Sequence, residues 1–475
     1  MQDRPPTGHS RLAAWRTRPD LAVATIGLIA GLGFAFLTPP LAGYDEAIHF
    51  LRAYQVSQGG LIATHHGHLL GGSVPSGLRT DLARLLTQGL LAHRDHTAFL
   101  HHLGDHPPGG PKVFLDFPSG AVYSPVPYAP AALLMAVGRA LGVSTLVLVY
   151  LGRLGSLLAT LGLICLAVRR MPTRAWMLAT VALLPVTVFQ AAMLSADGIT
   201  IALSLLVLAL ALNLAATRPG AVTGGRLVET AIATIALGFA KPPYILFALA
   251  LLIPWWRHRG RVGRIVAAAA GAGLVATASW GAYASRVYVA PRLPAGFAAF
   301  GIGRFTAFTH VDPGRQERFI LHHPWFFAMS IGRTLSSFGP DLAREALTQV
   351  PLWRLPVLAI VAAAAIAAAS SFVADPRSEL VLGWRSRALL LGIGAATFLA
   401  LMLLAYTGWN AVGSPRIEAF QGRYLLPLLP VVLLAAVPER VVGRVRKASP
   451  VGALLGLASA LLLAFVWLGL RSRFY

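Results

Sequence analysis

The chain has 475 residues, 56% of them hydrophobic and 12% charged, with a mean hydropathy of +0.66. Ordinary globular domains carry about 25% charged residues, so this composition excludes a soluble protein with a large core. A formal charge of +22 would suggest nucleic acid in a soluble protein. Here the basic residues sit in short clusters between apolar blocks, the pattern of cytoplasmic loops, and no nucleic-acid partner is expected.

Arg4, Arg11, Arg16 and Arg18 precede the first apolar block, Leu21–Leu37. No small-residue cleavage site follows it, so it reads as a retained anchor behind a cytoplasmic tail, residues 1–20. Later blocks have the length that crosses roughly 30 Å of hydrocarbon, and backbone groups deprived of water must bond within their own helix. Leu146–Val168 (interrupted only by Arg153), Val357–Val373 and Val451–Leu468 are clear cases. The clusters Arg169/Arg170/Arg174, Arg218/Arg226, Arg257/Arg259/Arg261/Arg264, Arg377/Arg385/Arg387 and Arg440/Arg444/Arg446/Lys447 all reach the cytoplasm under one scheme. It runs helices over 145–168, 172–194, 198–216, 227–240, 242–256, 262–284, 354–374, 387–407, 423–439 and 450–470. Arg471 and Arg473 then end outside, against the trend.

Tyr128–Leu141 is apolar but short, and the charge bias makes it a helix lodged at the outer interface. The expected fold is therefore an all-α polytopic membrane protein, one membrane domain over 1–475 with about 11–12 transmembrane helices. Two long stretches, 40–125 and 285–350, face outward, and the first carries juxtamembrane helices. Cys165 lies mid-block and says nothing of disulfides or metal.

Directly after the first helix comes Pro39-Pro40-Leu41-Ala42-Gly43-Tyr44-Asp45-Glu46-Ala47-Ile48-His49-Phe50-Leu51-Arg52-Ala53-Tyr54-Gln55. Pro40 and Gly43 stop the membrane helix and Asp45 can cap a new one. Tyr44, Ile48, Leu51 and Tyr54 recur at helical spacing, which predicts an amphipathic helix on the outer surface. Asp45 and Glu46 are either capping acids or functional carboxylates, with His49 and Arg52 one and two turns on. The histidines that follow, His65, His66, His68, His93, His96, His101, His102 and His106, match no structural zinc spacing and read as a solvated loop.

Asp197, in Ser195-Ala196-Asp197-Gly198, is either a turn residue or a site acid. Lys241-Pro242-Pro243-Tyr244 breaks an apolar run with an ammonium that either snorkels or meets a phosphate. In Glu418-Ala419-Phe420-Gln421-Gly422-Arg423-Tyr424, Arg423 could fork onto two oxygens of an anionic head group. His310, Asp312, Arg315, Gln316, His322 and His323 in the second outer stretch are not specific. Asp45, Glu46, Asp197, Lys241 and Arg423 all map to the outer membrane boundary.

The run Pro39–Gln55 resembles the domain-of-unknown-function 2142 family of bacterial membrane proteins. Tyr123-Ser124-Pro125-Val126-Pro127-Tyr128, Gly152-Arg153-Leu154, Ser195–Gly198, Lys241–Tyr244 and Gln421-Gly422-Arg423-Tyr424-Leu425-Leu426-Pro427 extend that likeness over about residues 20–440. The family is in turn similar to GT-C glycosyltransferases, which take sugar from a polyprenyl-phosphate carrier on the outer face of the membrane. The resemblance implies a catalytic acid at Asp45, with Glu46 second. It implies a carrier-phosphate site among His49, Arg52, Asp197, Lys241, Tyr244, Gln421, Arg423 and Tyr424. The implied enzyme moves a hexosyl or pentosyl group, with inversion, to a glycan or lipid acceptor of the cell envelope. Asp45 would be the general base, and Arg423 and Lys241 would stabilise charge on the departing phosphate. A divalent cation on Glu46, Asp197 or a histidine is the one cofactor such a mechanism admits. Two rivals stand beside it: a transporter or flippase of lipid-linked sugar, and a surface-polysaccharide polymerase or ligase. The implied location is the bacterial inner membrane.

Overall fold

The computed structural model describes residues 18–90, 98–218, 220–289, 311–348, 357–373, 380–437 and 449–474. Arg4, Arg11, Arg16, His93, His96, His310, Arg377 and the cluster from Arg440 to Lys447 lie outside them.

Helix α1 (Pro19–Leu37) enters with Pro19 at its first position, where a missing N–H is harmless. It packs on α5 (Thr145–Arg170) and on the last helix, α16 (Ser449–Phe474). Between α1 and α5 the chain builds a compact layer. It contains α2 (Glu46–Ser57), β1 (Thr64–His66), β2 (Leu69–Pro75), α3 (Ser76–Leu90), β3 (Lys112–Asp116) and α4 (Ala129–Ala140). The strands form one antiparallel sheet in the order β1-β2-β3, with His65 opposite Leu70 and Gly72 opposite Leu115. This layer has its own apolar core, in which Phe50, Tyr54, Leu70, Val74, Phe117 and Tyr128 meet Leu148 and Val149 of α5. The expectation of a solvated loop with a surface helix is corrected here. Both faces of α2 are covered, because Phe50, Leu51, Ala53 and Tyr54 are buried together with His49, Arg52 and Gln55. His65, His66, His68, His101 and His106 do face solvent.

The bundle centres on α8 (Ala196–Ala216), whose apolar window is 89% buried. An 18-residue hydrophobic stretch with almost no exposed face must be ringed by other helices. Its neighbours include α5, α9 (Gly224–Ala240) and a 3₁₀ segment, Pro242–Leu251. A pair of short helices, α6 (Ala175–Ala182) and α7 (Pro185–Ala192), is bent by 61° at its break, where Pro185 cannot continue the ladder. The remaining helices are α10 (Arg261–Val287), α11 (Pro313–His322), α12 (Pro324–Thr348), α13 (Val357–Ser370), α14 (Trp384–Trp409) and α15 (Leu428–Ala436).

Among the described residues, six helices are long and apolar enough to cross a membrane, or seven if the bent pair is one span. They are α1, α5, α8, α10, α14 and most of α16. This is an all-α polytopic membrane architecture. Fewer uninterrupted spans appear than the apolar blocks suggested, and the reasons are local. Pro242 and Pro243 remove two backbone donors, so the block 242–256 starts as a 3₁₀ helix and not an α-helix. Residues 423–439 open with another 3₁₀ turn, leaving α15 nine residues long. At 12 residues α4 is too short to cross, as the shortness of its apolar run implied. The stretch expected to face outward at 285–350 holds two helices, α11 and α12, that composition did not reveal.

Candidate functional site

Two neighbouring carboxylates at the end of α1 have opposite fates. Glu46 is 1% exposed and meets Arg153 of α5 in a two-pronged ion pair, Nε to Oε1 and Nη2 to Oε2, both at 2.7 Å. The rest of the guanidinium donates to carbonyls where α1 ends: Nη1 to Ala35 at 2.6 Å and Thr38 at 2.7 Å, Nη2 to Pro39 at 2.9 Å. Those carbonyls have no partner inside the helix, so Arg153 caps α1 from another element. Glu46 also accepts the N–H of Gly43 at 3.0 Å and of Leu194 at 3.3 Å. Every lone-pair direction of this carboxylate is engaged. Glu46, expected beside Asp45 as a second catalytic acid, is thus tied into the protein on all sides.

Asp45 points the other way. Its side chain is 54% exposed and makes no capping bond, although it stands at the N-cap position of α2. Its backbone is left-handed, φ +56° and ψ +17°. That conformation costs a non-glycine residue about 1–2 kcal/mol, with Asp and Asn among the residues that bear it best. Leu41, at φ +62°, marks the other end of the same tight turn. The Glu46–Arg153 clasp lies beside this turn and holds its geometry.

Opposite Asp45 lies a buried ionic cluster. Asp197, in the first turn of α8, accepts from Lys241 Nζ at 3.0 Å on Oδ1 and from Arg423 Nε at 2.7 Å on Oδ2. Arg423 Nη2 then reaches Asp45 Oδ2 at 3.4 Å. Lys241 closes the end of α9, where Pro242 prevents continuation, and its ammonium sits 3.7 Å from the centre of the Tyr424 ring. The Arg423 guanidinium carbon lies 5.1 Å from the Tyr44 ring centre and 5.3 Å from that of Tyr424. Aromatic faces and one shared carboxylate thus compensate two cations that would be costly to bury alone. Tyr244 contributes by donating its hydroxyl to the Tyr424 carbonyl at 2.8 Å, which fixes the 3₁₀ turn Gly422–Leu425. Gly422 is needed there. A Cβ on it would collide with the Leu342 carbonyl and lie 2.5 Å from the Glu345 side chain, whose Oε2 accepts the Gly422 N–H at 2.8 Å.

The other expected ligands lie nearby in different roles. His49 is buried and shares a 2.7 Å hydrogen bond with the Tyr128 hydroxyl. Burial pushes its pKa below the ordinary 6.5, against the opposing pull of Asp45 and Asp197. Arg52, expected as a ligand, donates to the carbonyls of Gly60, Leu61 and Tyr123 and to Gln55, which ties the loop together. Gln421 is buried at its Oε1, which has no hydrogen-bond partner among the described residues. Arg423 Nη1 is in the same position.

The donors expected to hold a divalent cation are engaged in other bonds. Glu46 is saturated by Arg153, and both oxygens of Asp197 are taken by cations. His49 Nδ1 is occupied by Tyr128. Among the described residues no group of three or more His, Cys, Asp or Glu side chains is placed to hold a metal.

The ion pairs join the end of α1, the start of α8, the break after α9 and the 3₁₀ turn before α15, elements spread over most of the chain. Residues 28–432 match the family described as "Predicted membrane protein (DUF2142)". The chain belongs to the DUF2142 family. The matched region takes in every member of the cluster, from Asp45 to Tyr424. No curated protein and no solved structure matches the chain. Arg153 is the sequence signal that points to the clasp with Glu46. A charge in the middle of an apolar block is expensive, and it implies a buried partner.

Proposed function

We propose that this DUF2142 protein is a GT-C-type glycosyltransferase. It moves a sugar from a polyprenyl-phosphate carrier to a glycan or lipid acceptor at the outer face of the bacterial inner membrane, with its N-terminus in the cytoplasm. The observation that carries the reading is the half-exposed Asp45, held in a strained turn within 3.4 Å of a guanidinium that is otherwise buried. An accessible carboxylate beside fixed cations at one end of the bundle suits a reaction that removes a proton from a hydroxyl while a phosphate departs. The orientation is supported by the basic residues: Arg169 and Arg170 end α5, while Arg226 and Arg385 lie in the first turns of α9 and α14, the ends remote from the cluster.

In this mechanism Asp45 accepts the proton of an acceptor hydroxyl as its oxygen attacks the anomeric carbon. The bond from that carbon to the carrier phosphate breaks on the opposite side, and the anomeric centre is inverted. Asp197 holds Lys241 and Arg423 so that their charge faces the leaving phosphate. Glu46 takes no part beyond fixing the turn. The test is sugar transfer by the purified protein in lipid, using radiolabelled polyprenyl-phosphate sugars. Transfer by the native chain that falls about 10²–10⁴-fold in Asp45→Asn is the expected result. Undiminished transfer by that variant would remove Asp45 from the chemistry. Movement of carrier across the bilayer without transfer would favour a flippase.

A further inference from the structure

Arg423 is fastened at one edge and loose at the other. Its Nε is bound to Asp197 at 2.7 Å, a short charge-assisted bond between two buried groups. The outer edge of the fork contrasts with this. Nη2 makes a long 3.4 Å contact to Asp45, and Nη1 is buried with no hydrogen-bond partner among the described residues. A buried guanidinium N–H without a partner is unfavourable. A planar fork with one edge anchored and the other under-used is poised for a second two-oxygen acceptor.

Charge counting adds a constraint. Asp45 and Asp197 together balance Lys241 and Arg423, so the cluster has no cation to spare for an anionic ligand. A phosphate can gain a full partner here only if one existing pair opens. The Asp197 pairs are short and buried, whereas the Asp45 pair is long and its carboxylate is half in solvent. The Asp45 pair is the one that gives way.

We propose that Arg423 is an exchange element, serving Asp45 before the donor arrives and turning its Nη edge onto the phosphate group of the donor afterwards. The exchange rests on the transferase reading and adds an order of events to it. Asp45 is masked by Arg423 until phosphate is bound, and the base is released only when there is a leaving group to use it with. The Asp45 oxygen that faces Arg423 is occupied until that exchange takes place, so the pairing also guards against premature hydrolysis of the carrier sugar.

The test is binding of a labelled polyprenyl monophosphate to the purified protein in detergent, with inorganic phosphate as competitor. Asp45→Asn and Asp45→Gly both remove the carboxylate while tolerating a left-handed backbone, so folding is preserved. If Asp45 competes for Arg423, both variants bind the lipid about two- to fivefold more tightly, the size of a partly exposed ion pair. In an Arg423→Lys background, which keeps the charge on Asp197 but has no fork, the tightening disappears. Unchanged or weaker binding by the Asp45 variants would overturn the exchange. So would a tightening that persists with lysine, since that is plain charge repulsion. Competition by inorganic phosphate alone places the recognition in the head group, and failure to compete assigns part of it to the prenyl chain. A tightening without transfer of any sugar would retain the exchange and remove the transferase reading. Asp45-dependent transfer without tightening would do the reverse.

Discussion

Arg153 grips both oxygens of Glu46 at 2.7 Å and, with the rest of its guanidinium, three carbonyls at the end of α1. One side chain of α5 therefore sets where the first membrane helix stops and how the next turn leaves it. Neither partner has exposed side-chain surface, so the pair is worth little as a pair and much as a geometry. Removing one member leaves an uncompensated buried charge, a loss of about 3–5 kcal/mol. Glu46→Ala and Arg153→Leu should each give little folded protein in detergent, as read by thermal unfolding of the purified fraction. The double change Glu46→Gln with Arg153→Met should recover part of the loss. Equal stability of single and double variants would mean that the charges are not what is being compensated.

Asp197 stands between two buried cations, and the same reasoning applies with the sign reversed. Asp197→Asn keeps the shape but leaves Lys241 and Arg423 facing each other without their anion. A destabilisation of about 3–5 kcal/mol is expected. Asp197→Asn with Lys241→Met should be closer to native in melting temperature than Asp197→Asn alone. If the second change makes no difference, Lys241 is compensated by the Tyr424 ring and not by Asp197.

Gly422 sits where a side chain would strike the Leu342 carbonyl, with Glu345 alongside. Gly422→Ala must push the 3₁₀ turn away from α12, and Arg423 moves with it. Overpacking of this kind costs about 1–3 kcal/mol. Transfer activity should fall further than stability, because the displaced group is the one facing Asp45. Native turnover in a folded Gly422→Ala protein would show that the turn tolerates the shift.

His49 has its pKa lowered by burial, so its folded value lies below the unfolded 6.5. Above about pH 6.5 neither state carries the proton and the residue adds no pH dependence. As the pH falls below that, the unfolded chain binds the proton first, and stability declines by at most about 1.4 kcal/mol per pH unit until the folded value is passed. Asp45 and Asp197 favour the charged imidazole, Arg423 and Lys241 oppose it, and desolvation outweighs them. His49→Gln should therefore flatten the melting temperature between about pH 6.5 and 5 relative to the native chain. A native chain with no decline over that range would contradict the buried neutral imidazole.

The membrane class, the short helix at 129–140 and the gathering of Asp45, Asp197, Lys241 and Arg423 at one end of the bundle were all legible in the sequence. Each follows from local hydrophobicity and from the cost of placing charge near hydrocarbon. The pairing was not legible, because Arg423 and Asp197 are 226 residues apart and meet only through the packing of α8 on the elements around it. The contrast between Asp45 and Glu46 was hidden for a different reason. Side by side they look like a carboxylate pair, yet a left-handed residue at the helix start turns one out and the other in. The sheet at 64–116 escaped because its strands are three, seven and five residues long, with histidines and glycines that carry little strand preference.

The contact between Arg423 and Asp45 spans 378 residues of chain. At ordinary translation rates of about 5–20 residues per second, Asp45 is made roughly 20–75 s before the guanidinium it faces. Its neighbour Glu46 waits a shorter time for Arg153, 107 residues later. The turn is thus moulded early in biogenesis, and the site becomes complete only when nearly all of the polypeptide has been inserted. A ribosome that stalls in the later helices leaves a shaped turn in the bilayer, with Asp45 in place and its Arg423 partner not yet made.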